Sequence, residues 1–278
     1  MRWDRSHTSS DLEDRRSMGP ARGLGGMGGG NLFGIFGLLA RFGWKGILIG
    51  LVVVGFMMFG GSNLCAGGGG GLSPTSRSVN DQSTTGEDEL MRFAGFVFDD
   101  VQTHWASEIR GYEKAKIVVF RGAVESACGT TSSAVGPFYC PNDHKAYIDL
   151  GFYQELSRRF GAPGDFAQAY VIAHEVGHHL QNQAGVLGGR SNADSVDTEL
   201  QADCLAGVWA ASANQRKLLE MGDFEEALGA ASAIGDDTIQ KKSQGYVQPE
   251  TWTHGSSSQR VAAFRKGYQG GSARACGL

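Results

Sequence analysis

The sequence predicts an α+β fold, mainly helical with a small sheet, preceded by one transmembrane helix. Three observations predict it. Two β-branched runs, Lys116–Phe120 (KIVVF) and Lys145–Asp149 (KAYID), precede a series of segments that repeat apolar residues at helical spacing. An uncharged apolar run occupies residues 46–66. Of the 43 glycines, 20 fall between Gly19 and Gly71, so the glycine excess belongs to the N-terminal part and not to the folded body.

Residues 1–30 are polar and glycine-rich and read as a disordered cytoplasmic N-terminus. Residues 31–45 contain the apolar stretch NLFGIFGLLA and form a juxtamembrane segment. From Gly46 the chain reads GILIGLVVVGFMMFGG, and to Ala66 it is long enough for a hydrocarbon core of roughly 30 Å. Arg41 and Lys45 before this span, with few basic residues soon after it, place the N-terminus in the cytoplasm and the C-terminal body outside it. Residues 67–87, rich in Gly, Ser and Thr, are a flexible linker, and the globular domain is residues 88–278.

Within that domain Glu89–Ile109 has the spacing of an amphipathic helix. The two strands follow. Gly151–Phe160 is helical and stops before Gly161-Ala162-Pro163-Gly164. Asp165 caps a helix over Phe166–Ala184 that ends at Gly185. Gly188–Asn192 is a turn, and further helices are expected at Asp194–Asn214, Phe224–Ala233 and Ser258–Lys266.

Charge excludes one class of partner. The first 45 residues hold seven Lys/Arg against four acids, which leaves the remainder near −7 of a total −4. An acidic body lacks the basic patch that a nucleic-acid groove needs. The five cysteines form no CxxC pair, so a cysteine metal site is not expected. Cys128 and Cys140 flank a short Gly/Ser/Thr/Pro segment that suits a local disulfide, and Cys204 can pair with Cys276. The alternative for Cys204 is a reduced core residue. Cys65 is left over.

The chemistry concentrates in His174-Glu175-Val176-Gly177-His178, an HExxH. Residues four apart on a helix stand about 40° apart, so both imidazoles reach one ion while Glu175 addresses the neighbouring side. Two histidines need a third ligand and one open position, and Glu199, on the following helix, can supply the ligand. Asp203, one turn later, can accept the second ring N–H of a ligand histidine. The alternative for both acids is a solvated helix face. Gly177 serves either close helix packing or room beside the metal. His179, rotated about 100° from His178, reads as a surface residue or one supporting a ligand. Zinc lowers the pKa of its water towards about 7, and Glu175 is the general base. For the oxyanion His254 is the candidate, against the alternative of a surface loop histidine. Tyr246 and Arg260 are weaker candidates, and Arg260 can instead hold a buried carboxylate.

These residues carry a family resemblance that covers nearly the whole chain. EDRR (Glu13–Arg16), GPFYCP (Gly136–Pro141), YID (Tyr147–Asp149), AHEVGHHLQ (Ala173–Gln181), ELQADCLAGVW (Glu199–Trp209) and the late THGSSSQR together resemble the bacterial neutral zinc metallopeptidases of the YpfJ type. HExxH followed by ExxxD resembles the gluzincin arrangement of thermolysin, and THGSS…R is similar to a segment of HtpX-type membrane proteases. The resemblance implies a zincin-like domain with its site beneath an edge strand, for which Lys145–Asp149 is the expected strand. It also implies one Zn2+ per chain and a peptide or protein substrate.

The expected function is a membrane-anchored, extracytoplasmic zinc peptidase, acting as an endopeptidase rather than an exopeptidase. The competing expectation is a zinc-stabilised, non-catalytic binding or assembly module of the cell envelope. Glu175 separates the two, since a structural zinc site needs no general base.

Overall fold

The computed structural model describes residues 1–18, 80–188 and 191–278. In chain order the strands are β1 (Leu12–Asp14), β2 (Lys116–Phe120), β3 (Ala123–Ser126), β4 (Gly129–Ser132), β5 (Phe138–Cys140) and β6 (Lys145–Asp149). The helices are α1 (Asn80–Glu108), α2 (Leu150–Arg158), α3 (Asp165–Gln183), α4 (Asn192–Gln215), α5 (Asp223–Ala233), α6 (Asp236–Gln244) and α7 (Ser257–Gly270). The domain is therefore mainly helical with small sheets, as the pattern of the sequence predicts.

One sheet has the order β1-β2-β6-β5, with β1, β2 and β6 parallel and β5 antiparallel to β6. β3 and β4 form a separate hairpin. β2 and β6 are buried along almost their whole length, as interior strands are. The expectation that Lys145–Asp149 is the edge is thus corrected: β6 lies between β2 and β5, and among the described residues β5 is the edge strand on that side, with β1 at the other edge.

Helix α3 is buried nearly all round, which marks a central helix rather than an amphipathic surface one. Its neighbours α1, α4 and α5 cover it with Phe98, Trp105, Leu205, Trp209 and Ala230, all buried. Two close approaches hold these helices. A Cβ on Gly177 of α3 would lie 3.0 Å from the Ala202 Cα of α4, so of the two readings of Gly177 the structure supports close packing. A Cβ on Gly267 of α7 would lie 1.8 Å from the Cys204 carbonyl oxygen of α4, and one on Gly207 would lie 2.1 Å from that of Phe264. Only glycine lets α4 and α7 touch backbone to backbone. The disulfides join Cys128 to Cys140 and Cys204 to Cys276, as expected.

The first eighteen residues depart from expectation. Leu12 pairs with Ile117 and Asp14 with Val119, so β1 extends the sheet. Trp3 packs edge-on to Phe93, with centroids 5.4 Å apart. His7 meets Asp99 at 2.7 Å, Lys145 meets Glu13 at 2.6 Å and Arg16 meets Asp88 at 2.7 Å. The disorder expected over residues 1–30 therefore does not hold for residues 1–18. Arg5, His7, Asp11, Glu13 and Arg16 meet partners on the body, while Asp14 pairs with Arg16 and Asp4 with Ser6 inside the segment.

The same observation overturns the expected localisation. Residues 1–18 and the described residues from 80 to 278 form one compact unit and share one sheet. A single crossing cannot leave the N-terminus in the cytoplasm and the body outside it while both lie in that sheet. Among the described residues no helix is long and apolar enough to cross a membrane. The juxtamembrane segment 31–45 and the span 46–66 lie outside the described residues, as does Cys65. The linker expected over 67–87 ends earlier, because the chain is helical from Asn80.

Candidate metal centre

Helix α3 carries His174, Glu175 and His178 on the side that meets α4. Ser191 starts α4 with a capping box, its side chain on the Asp194 N–H and Asp194 returning to the Ser191 N–H. That fixed start places Glu199 opposite the two histidines. Its Oε2 lies 3.1 Å from His174 Nε2 and its Oε1 lies 3.3 Å from His178 Nε2. One ligand atom from each of the three residues falls within 4.8 Å of the others. The imidazole planes are nearly perpendicular, at 85°, with centroids 4.7 Å apart.

The outer ring nitrogens are held as well. His174 Nδ1 donates to Asp203 Oδ1 at 2.8 Å, and His178 Nδ1 donates to Gln181 Oε1 at 2.8 Å. Each Nδ1 holds a ring proton against its acceptor, so Nε2, which faces Glu199, is the nitrogen each ring can offer a metal on giving up its own proton. Asp203 is fully buried and also receives the Tyr170 hydroxyl and two nitrogens of Arg260. Burial would raise the Asp203 pKa, but Arg260 and His174 hold it below the usual carboxylate value. Burial would likewise raise Glu199, yet its hydrogen bonds with His174 and His178 hold it well below. Burial alone would push His174 down, while Asp203 and Glu199 carry its pKa up to about 10. An anionic carboxylate and two imidazoles converging within one coordination radius fit a zinc ion in kind and number.

Glu175 differs from these. It is 5% exposed, and its Oε2 has no hydrogen-bond partner. Burial pushes its pKa up, opposed in part by His174 and His178. An unpartnered buried carboxylate oxygen beside a cleft calls for an explanation.

The cleft has a volume of about 650 Å³. Its walls include Phe138 and Tyr139 of β5, Phe152 and Phe160, and it reaches His174, Glu175, His178 and Glu199. His254 also lines it, with a half-exposed side chain whose Nδ1 is 3.2 Å from Asp236 Oδ1. Asp236 is pinned in turn by the backbone N–H groups of Thr253, His254 and Gly255. The hydrogen bond to Asp236 raises the His254 pKa against the opposing effect of burial.

Not every expected residue reaches the site in its expected role. Arg260 lines the cleft, but its guanidinium is committed to Asp203, Tyr170 and the Ile234 carbonyl. It holds the buried carboxylate instead of offering an oxyanion donor. Tyr246 is 56% exposed and is not among the cleft walls. His179 is fully buried: Tyr139 donates to its Nδ1 at 2.8 Å, and its Nε2 donates to the Glu113 carbonyl at 2.7 Å. It ties α3 to the edge strand. Three residues were missed. Gln181 stands three places after His178 on the same helix, a spacing that could have revealed it. Asp236 and Tyr139 gave no local signal. A second cluster, Asp165, Asp223 and Glu226, lies at the N-terminal end of α3, where Asp165 and Asp223 bind the Met1 ammonium.

A central HExxH helix, a carboxylate on the next helix and a cleft walled by an antiparallel edge strand are consistent with a zincin-like domain. The family model described as "Putative neutral zinc metallopeptidase" matches residues 1–278, and the chain belongs to that family. Uncharacterized protein YpfJ of Escherichia coli (strain K12) is 39% identical over 291 residues, covering 99% of this chain and 98% of that protein. Uncharacterized protein Rv2575 of Mycobacterium tuberculosis (strain ATCC 25618 / H37Rv) is 46% identical over 195 residues, covering 64% of this chain and 67% of that protein. No solved structure is significantly similar to the chain. Membership implies zinc as the metal and a peptide or protein as the substrate.

Proposed function

We propose that the chain is a zinc-dependent endopeptidase in which His174, His178 and Glu199 hold one zinc ion, Glu175 moves the proton and His254 stabilises the oxyanion. The observation that carries this reading is the free Oε2 of Glu175 beside three converged donors. Among the described residues that cluster ends at three, and a structural site would ordinarily supply a fourth protein ligand.

When bound, zinc supplies Lewis acidity, which makes water nucleophilic near neutral pH and polarises a carbonyl. Glu175 Oε2 takes the proton of the attacking water and delivers it to the leaving amine nitrogen. A carboxylate raised by burial is suited to both halves of that transfer. His254, oriented by Asp236 through Nδ1, presents Nε2 to the developing oxyanion. Asp203, gripped by Arg260, keeps the His174 ring turned to the metal.

Among the described residues β5 is paired only with β6, and its other side can offer backbone groups to an extended substrate strand. The cleft runs along α3 from Val171 past His178 to Leu187 and Gly188, so chain can lie on both sides of the cleaved bond. That extent favours internal cleavage. The deciding experiment is Glu175→Gln, measured for zinc content and for cleavage of a broad peptide library. Retained zinc with cleavage reduced at least a hundredfold is expected; unchanged cleavage overturns the mechanism.

A further inference from the structure

His178 lies at the end of a directed chain of hydrogen bonds that begins at a disulfide. The carbonyl oxygen of Cys276 can only accept, and Gln201 Nε2 donates to it at 3.1 Å. That orientation turns Gln201 Oε1 towards Gln181, whose Nε2 donates to it at 2.9 Å. The other hydrogen of the same nitrogen goes to the Thr198 carbonyl at 2.7 Å. With both amide hydrogens engaged, Gln181 meets His178 with its oxygen, which accepts from Nδ1 at 2.8 Å. An oxygen at that place requires a ring proton on Nδ1, which makes Nε2, 3.3 Å from Glu199 Oε1, the nitrogen that a metal can take. Gln181 is fully buried, so no solvent competes for its groups. Turning its amide over would set oxygen against two oxygens and N–H against N–H.

Cys276 is held where it is by its bond to Cys204 of α4. Cys204 directly follows Asp203, which sets the other imidazole through His174 Nδ1. One helix thus governs both rings, directly for His174 and through two amides and a covalently tied carbonyl for His178. We propose that Gln181, Gln201 and the disulfide-held carbonyl of Cys276 are positioning groups for the metal centre, fixing His178 as the tautomer whose Nε2 is free to bind zinc. This rests on the reading of His178 as a ligand. A simpler role for the two glutamines, filling the α3–α4 interface with satisfied polar groups, predicts no effect on which nitrogen carries the proton.

The test has two readouts, neither of which is cleavage. In zinc-free protein, NMR of the isotope-labelled ring nitrogens shows which nitrogen of His178 is protonated. Zinc titrated against a chromophoric chelator gives the affinity. Gln181→Met should abolish the Nδ1–H preference and weaken zinc binding about ten- to a hundredfold. Gln181→Glu keeps an acceptor opposite Nδ1 and should keep the tautomer. Gln201→Met should cost less, about three- to tenfold, because the Thr198 carbonyl still holds one amide hydrogen. The paired change Cys204→Ser/Cys276→Ser should match it. Should the cysteine variant fail to fold, Gln201→Met, with its disulfide intact, decides. Unchanged ring signals and affinity in Gln181→Met, or affinity within twofold of wild type in a folded Gln201→Met, overturn the relay alone. Wild-type protein that binds zinc but cleaves no peptide overturns the peptidase reading alone.

Discussion

Arg260 grips Asp203 with two nitrogens, Nε to Oδ2 at 2.8 Å and Nη2 to Oδ1 at 2.9 Å, and both residues are essentially shut off from solvent. Asp203 is thereby an anion in the interior that faces His174. A fold supports such a pair only when every lone pair is met, and here the Tyr170 hydroxyl and His174 Nδ1 meet the rest.

Removing one partner should be severe. Arg260→Met leaves a buried carboxylate without its counter-charge and should cost about 3–5 kcal/mol in urea denaturation, with loss of zinc affinity. The double change Arg260→Met/Asp203→Leu should recover a large part of the stability but none of the affinity. The pair also sets an acid limit. The folded Asp203 pKa lies below its unfolded value, so the stabilisation is complete above about pH 4–5 and is lost as pH falls through the folded pKa. Wild-type stability should decline steeply below about pH 4, and in the double variant this component of the decline should disappear.

Glu199→Ala should remove the only carboxylate in the three-donor cluster and lower zinc affinity by several orders of magnitude, read by chelator competition. Retained affinity would mean that a different acid completes the site.

His254→Ala should lower kcat by about a hundred- to a thousandfold with little change in KM, because an oxyanion donor acts in the transition state. Asp236→Asn should have a smaller effect on rate and a distinct effect on pH dependence. The hydrogen bond to Asp236 raises the His254 pKa, so the protonated ring persists to higher pH in wild type. The alkaline limb of kcat/KM should therefore move to lower pH in Asp236→Asn. An unmoved limb in a folded variant would return His254 to the surface.

Gly267→Ala should destabilise despite the better helix propensity of alanine, which is worth about 1 kcal/mol. Its new Cβ would meet the Cys204 carbonyl oxygen at 1.8 Å, and that oxygen is backbone. Calorimetry should show a lowered Tm, and the α4–α7 separation that results should weaken the Arg260 grip on Asp203.

The site was legible where its signals are local. HExxH on one helix and an acid on the following helix are set by spacing within single elements, and His174, His178 and Glu199 come together accordingly. The expected Asp165 cap does not form: Gly164 stands at the cap position without a side-chain bond, and Asp165 lies in the first turn and meets the Met1 ammonium. The two disulfides also followed from context. Long-range pairing was illegible. The three residues of β1 show nothing in their own sequence of the partner they find near Ile117. Asp236 reaches His254 only because a turn folds α6 back onto the start of α7. The edge strand differs from expectation because KAYID, with Lys and Asp at its ends, shows no continuous apolar run although four of its positions are buried, and the three-residue β5 is too short for any periodicity. The expected membrane topology failed because it used local hydropathy and the basic residues Arg41 and Lys45, and the sheet that joins residues 12–14 to residues 116–120 is invisible to both.

That first strand has a consequence for how the molecule is made. Leu12 leaves the ribosome about a hundred residues before Ile117, the residue it must lie beside. Until then the backbone donors and acceptors of β1 have no native partner in that sheet. A contact of such sequence separation is slow to close, so this strand, made well before its partner, should be among the last elements to dock. Amide protons of Leu12–Asp14 should accordingly gain protection late in refolding, after those of α3 and α4.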